Sequence, residues 1–170
     1  GYLFDKDKYK NFMLRISQSV GKSISIGFFG YSGKEIINPF PDGPTTSNIR
    51  MYGPDITIDL DEKLIINGQF VRRTDSRVDI GGFPVAVSED VVTSGAFAEV
   101  IYAPKGDMSK WYLTGLFNWV ESDYKGLDYT SATLHAGYLL RRNMRVVAEF
   151  TRVFSGDAYG KVNVGVSTAF

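Results

Sequence analysis

Hydrophobic residues fall at every second position through most of the chain. Phe12, Leu14, Ile16 and Val20 alternate with Met13, Arg15, Ser17 and Ser19, and Ile24, Ile26 and Phe28 alternate with Ser23, Ser25 and Gly27. Ile56, Ile58 and Leu60 oppose Asp55, Thr57, Asp59 and Asp61; Leu64, Ile66, Gly68 and Phe70 oppose Asn67 and Gln69. Ala96, Ala98, Val100 and Tyr102 share a face that excludes Glu99. Trp111, Leu113, Gly115, Phe117 and Trp119 share one that excludes Thr114 and Asn118. Ala132, Leu134, Ala136 and Tyr138 follow, then Val146, Ala148 and Phe150 against Arg145, Glu149 and Thr151. The last segment sets Val162, Val164, Val166, Thr168 and Phe170 against Lys161, Asn163, Gly165, Ser167 and Ala169. A period of two belongs to an extended strand with one apolar and one polar face. The pattern predicts an all-β chain of nine strands, and a tenth if Tyr2-Leu3-Phe4 is the tail of another.

The connections predicted between these strands alternate in character. Gly21-Lys22, Glu62-Lys63, Pro104 to Ser109 and Arg141-Arg142-Asn143 are short turns, the first a two-residue hairpin connection. Ser32 to Asn48, Thr74 to Thr93, Glu121 to Asp128 and Ser155 to Tyr159 are longer or more loop-like. In the first of these, Pro39, Pro41, Gly43 and Pro44 exclude regular pairing. That loop, with Phe40 before Met51 and Tyr52, would either fold inward as a constriction or lie on the surface. Gly27, Gly68, Gly115, Gly137 and Gly165 read as strand kinks or sites of curvature.

Composition narrows the setting. The 170 residues carry 19 basic and 19 acidic side chains, so no net field points toward nucleic acid or an anionic surface. There is no cysteine, which rules out disulfides, zinc–thiolate sites, c-type haem attachment and a thiol nucleophile, and which fits an exported protein. No apolar run approaches the roughly 20 residues of a membrane-spanning helix. The chain begins at Gly1 without Met, as a mature, processed or partial sequence does.

The strand pattern, the alternation of turns and loops, and the terminal Phe170 together resemble the outer-membrane β-barrels of Gram-negative bacteria, porins in particular. In that class short turns face the periplasm and longer loops the exterior. The resemblance implies an antiparallel transmembrane β-barrel, with residues 1–170 forming the C-terminal part of one barrel domain and Phe170 at the periplasmic side. Nine strands beginning at the outside imply sequence upstream, so the whole barrel would be larger, about 16 strands. Trp111 and Trp119 lie eight residues apart on one face, roughly 26 Å along a strand. Tilted by roughly 40°, that becomes about 20 Å of height, close to the apolar band between aromatic girdles. Trp111, Trp119, Tyr138 and Phe170 are therefore expected at the lipid interfaces. A soluble sandwich burying both tryptophans would need an unusually large core and shorter strands.

The opposite face is expected to line the lumen: Arg15, Thr57, Asp59, Asn67, Gln69, Glu99, Asn118, His135, Arg145, Glu149, Lys161 and Asn163. Polar groups enclosed by an apolar coat need water or one another, so they either border an aqueous channel or form a packed network. Both signs of charge interleave, which argues for weak ion selectivity. Asp55, Asp59 and Asp61 share a face and would attract a cation or pair with basic neighbours. Arg72 and Arg152 fall on the apolar face near the outer rim, where lipopolysaccharide phosphates or water would meet them. His135 is the only histidine, and the sequence places no serine or carboxylate around it in a catalytic spacing. What the resemblance implies for function is passive diffusion of small hydrophilic solutes or ions, often through a trimer, with no cofactor, no metal and no enzymatic activity. The alternative is a barrel that sheathes a partner such as a multihaem cytochrome; the chain itself has no C-x-x-C-H motif.

Overall fold

The computed structural model describes residues 9–37, 45–76, 90–124 and 126–168. Their regular structure is strand throughout, apart from one 3-10 turn at Gly106–Met108. The strands are β1 (Phe12–Val20), β2 (Ile24–Ile37), β3 (Thr45–Leu60), β4 (Leu64–Ser76), β5 (Asp90–Tyr102), β6 (Trp111–Ser122), β7 (Tyr129–Arg141), β8 (Met144–Val153) and β9 (Gly160–Thr168). Each pairs antiparallel with the next, in sequence order from β1 to β9. The nine strands are those the periodicity predicts, and their arrangement is an antiparallel meander. Among the described residues β1 and β9 do not meet, so the wall is an open nine-stranded sheet rather than a closed cylinder.

Several strands outrun their predicted bounds at the ends joined by the longer connections. The segment from Ser32 to Asn48, expected as a loop, is mostly ladder: Ser32 pairs with Arg50, Lys34 with Asn48 and Ile37 with Thr45. Its prolines cluster at 39–44, and residues 38–44 lie outside the described residues, as do Tyr2-Leu3-Phe4. The polar residues flanking the prolines do not break pairing; they merely lack the apolar contrast that makes a strand visible. Likewise β4 runs on to Ser76 and β5 starts at Asp90, leaving 77–89 between them. A constriction built from the whole of Ser32 to Asn48 is therefore excluded.

The short turns also differ in detail. Val20 pairs with Ile24 and Leu60 with Leu64, so three residues rather than two make each of the first two turns. Gly21 has φ +69°, and Asp61 and Glu62 have φ +55° and +60°. Two successive positive φ values are the signature of a type I′ turn, whose hand matches the twist of the flanking strands. The Lys63 N–H donates to the Leu60 carbonyl at 3.1 Å, and the Glu62 N–H to Asp59 Oδ1 at 2.8 Å. The β5–β6 connection, residues 103–110, is longer than 123–128 and 154–159, so the strict short–long alternation fails there. Its 3-10 turn closes on itself, with Gly106 N–H to Ala103 carbonyl at 2.9 Å and Lys105 N–H to Ser109 Oγ at 2.6 Å.

Register keeps every strand in phase across the sheet. Ile16 faces Phe28, Phe28 faces Pro54, Gly68 faces Ala98, Ala98 faces Phe117, Phe117 faces Ala132 and Ala148 faces Val164. The single register shift lies between Leu139 and Arg141, at the β7–β8 turn. One irregularity sits mid-sheet, where the β3–β4 ladder lacks the Gly53 and Pro54 rungs. Pro54 has no N–H to donate, and the backbone there closes on Phe70 so tightly that a Cβ on Gly53 would stand 1.7 Å from the Phe70 carbonyl oxygen.

A dry core of the usual kind is missing among the described residues. Val91 and Val153 are the buried hydrophobic residues, at 6% and 4% exposure. The large apolar side chains are instead among the most exposed: Phe12 at 66%, Leu134 at 59%, Phe150 at 49% and Val164 at 73%.

Candidate functional site

Antiparallel partners point to the same side of a sheet, so the register sorts every strand residue onto one of two faces. All twelve side chains expected in the lumen share one face: Arg15, Thr57, Asp59, Asn67, Gln69, Glu99, Asn118, His135, Arg145, Glu149, Lys161 and Asn163. Trp111, Trp119 and Tyr138 share the other, together with Arg72 and Arg152. Phe170 lies outside the described residues.

Side-chain hydrogen bonds on the polar face run across the strands. Thr57 Oγ1 donates to Asn67 Oδ1 at 2.9 Å, and Asn67 Nδ2 donates to Glu99 Oε2 at 2.9 Å, linking β3, β4 and β5. Asn118 Nδ2 donates to Ser131 Oγ at 3.3 Å, and the hydroxyls of Thr133 and Thr151 meet at 2.8 Å. Each such bond nets about 1 kcal/mol, because water is the competing partner.

The densest group spans β6 to β9. Tyr112 Oη lies 3.0 Å from His135 Nε2, with the two rings stacked at 5.6 Å. His135 Nδ1 is 3.5 Å from Glu149 Oε2, and Asn163 Nδ2 donates to Glu149 Oε1 at 3.1 Å. The Arg145 guanidinium sits 5.3 Å from the centre of the Tyr112 ring. Tyr112 was not among the expected lumen residues, and neither the phenol nor the carboxylate beside His135 is apparent from spacing along the chain. The signal that could have found them is the β6–β7 and β7–β8 register, which puts Thr114 and then Glu149 opposite His135. Chemically the group can hold a proton between a phenol and a carboxylate, and it presents a cation beside an aromatic plane.

Two glycines turn out to provide space rather than kinks. A Cβ on Gly137 would stand 2.2 Å from the Tyr112 ring, so that ring lies across β7 where a side chain would be. A Cβ on Gly27 would stand 2.5 Å from Asp55 Oδ2. The Asp55 carboxylate therefore leans across β2 and reaches Arg15 Nη2 on β1 at 2.9 Å. Asp59 is held by the β3–β4 turn and Asp61 belongs to that turn, so the three aspartates have separate roles. Among the described residues no three His or acidic side chains converge as a cation cage.

Gln69 and Lys161 lie on the polar face without joining these networks. Near the end of β4, Arg73 grips Asp75 through two bonds of 2.6 Å. The polar face is not uniformly polar: Phe29, Ile65, Phe97, Ile101, Leu116 and Val147 interleave with the groups above.

The reverse face has few polar groups along the middle of its strands. At one end of the strands Tyr102 and Trp111 meet edge-to-face at 5.8 Å, with Tyr138 opposite Trp111. Phe28 and Tyr52 stack at 6.5 Å further along the strands. Compared with protein-family models, with curated proteins and with solved structures, the chain matches none. What the fold defines is an all-β antiparallel meander with one apolar and one largely polar face.

Proposed function

We propose that this sheet is part of the wall of a transmembrane β-barrel in a bacterial outer membrane, with the C-terminal end of β9 at the periplasmic side. The apolar face meets lipid, and the polar face borders a water-filled passage for small hydrophilic solutes or ions. One observation carries the reading: the largest hydrophobic side chains are exposed on one continuous face, while the hydrogen-bonded polar groups occupy the other. In water, exposing that many large apolar groups forfeits on the order of 25 cal/mol per Å²; in hydrocarbon it costs nothing. A lipid-facing sheet must also close, since unpaired backbone groups are not tolerated in hydrocarbon. In a nine-stranded meander β1 and β9 run in the same direction, so antiparallel closure takes an odd number of further strands between them.

The interleaved Phe97, Ile101 and Leu116 favour a second reading, in which the interior grips a protein partner such as a multihaem cytochrome. Planar-bilayer recording of the purified protein separates the two. Discrete conductance steps from the protein alone are expected of a channel. Insertion into the bilayer without conductance, or conductance abolished only by a co-purifying partner, favours the sheath.

A further inference from the structure

Arg145 and Glu149 are opposite charges on one strand and one face, yet they do not meet. Glu149 stands four positions on from Arg145 in β8, about 13 Å away between Cα atoms at roughly 3.3 Å per residue. Each is held by something else. The Arg145 guanidinium lies against the Tyr112 ring. Glu149 faces His135 with one oxygen and accepts from Asn163 Nδ2 with the other. Among the described residues no carboxylate pairs with Arg145, and no Lys or Arg pairs with Glu149. The acidic residues outside the described ones, Asp5, Asp7, Asp42, Asp79 and Glu89, belong to segments that adjoin the strands at the ends opposite the β7–β8 turn.

The wall between the two charges is low. The register row that crosses it joins Tyr112, Gly137, Val147 and Gly165, two of which have no side chain. The Tyr112 ring lies across Gly137, and the His135 ring continues it at 25° to its plane. A shallow trough results, with aromatic rings along it, a cation at one end and an anion at the other. A solute of one net charge is drawn to one end and repelled by the other, whereas a solute with both signs at a matching separation satisfies the two at once. An extended peptide of two or three residues separates its terminal ammonium and carboxylate by roughly 7–10 Å. One hydrogen bond of about 3 Å at each end brings that span to the spacing of the two charges. A single amino acid is too short. The guanidinium takes a carboxylate through paired N–H donors, and a carboxylate takes an ammonium.

We infer that this trough binds short zwitterionic peptides of two or three residues, with the carboxylate on Arg145 and the ammonium on Glu149. The inference rests on the water-filled passage proposed above, and it names a class of solute that is held on the way through.

The test uses the whole purified protein in planar bilayers, where open-channel current is scored first. Triglycine is then titrated, and its residence is read as interruption of the current. Acetyl-triglycine, without the ammonium, triglycine amide, without the carboxylate, and glycine, which is too short, are run in parallel. Triglycine is expected to block, with each of the other three needing at least about 10-fold higher concentration. Arg145→Gln and Glu149→Gln should each raise the half-blocking concentration of triglycine about 10-fold. The open-channel current of each variant shows that its barrel has formed. Should a variant not form, the capped peptides on the unaltered protein decide the matter alone. Absence of block by triglycine overturns the site, as does equal block by either capped peptide or by glycine, or block unchanged in both variants. Absence of any current would instead sink the water-filled passage, a failure distinct from that of a conducting channel that ignores the peptide.

Discussion

The two faces of the sheet are made by the same strands, residue by alternate residue, yet they solve opposite problems. On the polar face, side chains lean across neighbouring strands to find partners: Asp55 crosses Gly27 to reach Arg15, and Tyr112 crosses Gly137 to reach His135. On the apolar face Leu134, Phe150 and Val164 stand roughly half to three-quarters exposed, with no second layer over them among the described residues. A soluble domain buries its largest hydrophobic groups and hydrates its polar ones. Here the largest hydrophobic groups are the exposed ones, and on the proposed membrane reading lipid covers them, which makes the surroundings part of the fold.

The largest effect should come from putting a charge on the apolar face. Leu134 pairs with Gly115, midway between Trp111 and Trp119. Leu134→Arg is expected to cost about 2–4 kcal/mol in urea titrations of folding into lipid vesicles. Thr133→Arg, one residue away on the polar face, should cost about 1 kcal/mol, the worth of its bond to Thr151. Equal penalties would erase the distinction between the faces.

A second comparison contrasts crowding with openness. Gly53→Ala drives a methyl into the Phe70 carbonyl and should destabilise by on the order of 3 kcal/mol. Gly30, whose Cβ would meet nothing within 4 Å, should accept alanine with a change inside about 0.5 kcal/mol. The same vesicle titration reads both. A cheap Gly53→Ala would mean that the β3–β4 seam relaxes freely.

The smallest effect belongs to a turn that neither face governs. Glu62 holds φ +60°, a conformation that costs a non-glycine residue about 1 kcal/mol. Glu62→Gly should recover part of that, raising stability by about 0.5 kcal/mol; a loss would show that the Glu62 side chain contributes a contact worth more than the strain.

Much of this was legible in the chain, for one reason. Alternation of the kind seen from Trp111 to Trp119 fixes both the strand and its faces, and the twelve polar residues chosen by that rule do share a face. The rule fails where contrast fades. Ser32 to Ile37 continues β2 yet carries polar and apolar residues without a strict period, so it reads as loop. Nor can a single strand show what leans on it: Gly27 and Gly137 looked like kinks because Asp55 and Tyr112 reach them from neighbouring strands, through a register that the sequence does not display. The turn at 103–110 holds its length through internal hydrogen bonds rather than strand geometry, and its 3-10 turn leaves no periodic trace.

Because the chain has no cysteine, single cysteines placed one at a time from Trp111 to Ser122 can carry a nitroxide without background. The decisive measurement is the collision rate of each label with oxygen, which concentrates in lipid, and with a water-soluble nickel chelate, in protein reconstituted into vesicles. The account predicts a period-two pattern, with oxygen favoured at 113, 115 and 117 and the chelate at 114, 116 and 118. Protection from both reagents on the apolar side, or uniform access to the chelate along β6, would contradict it.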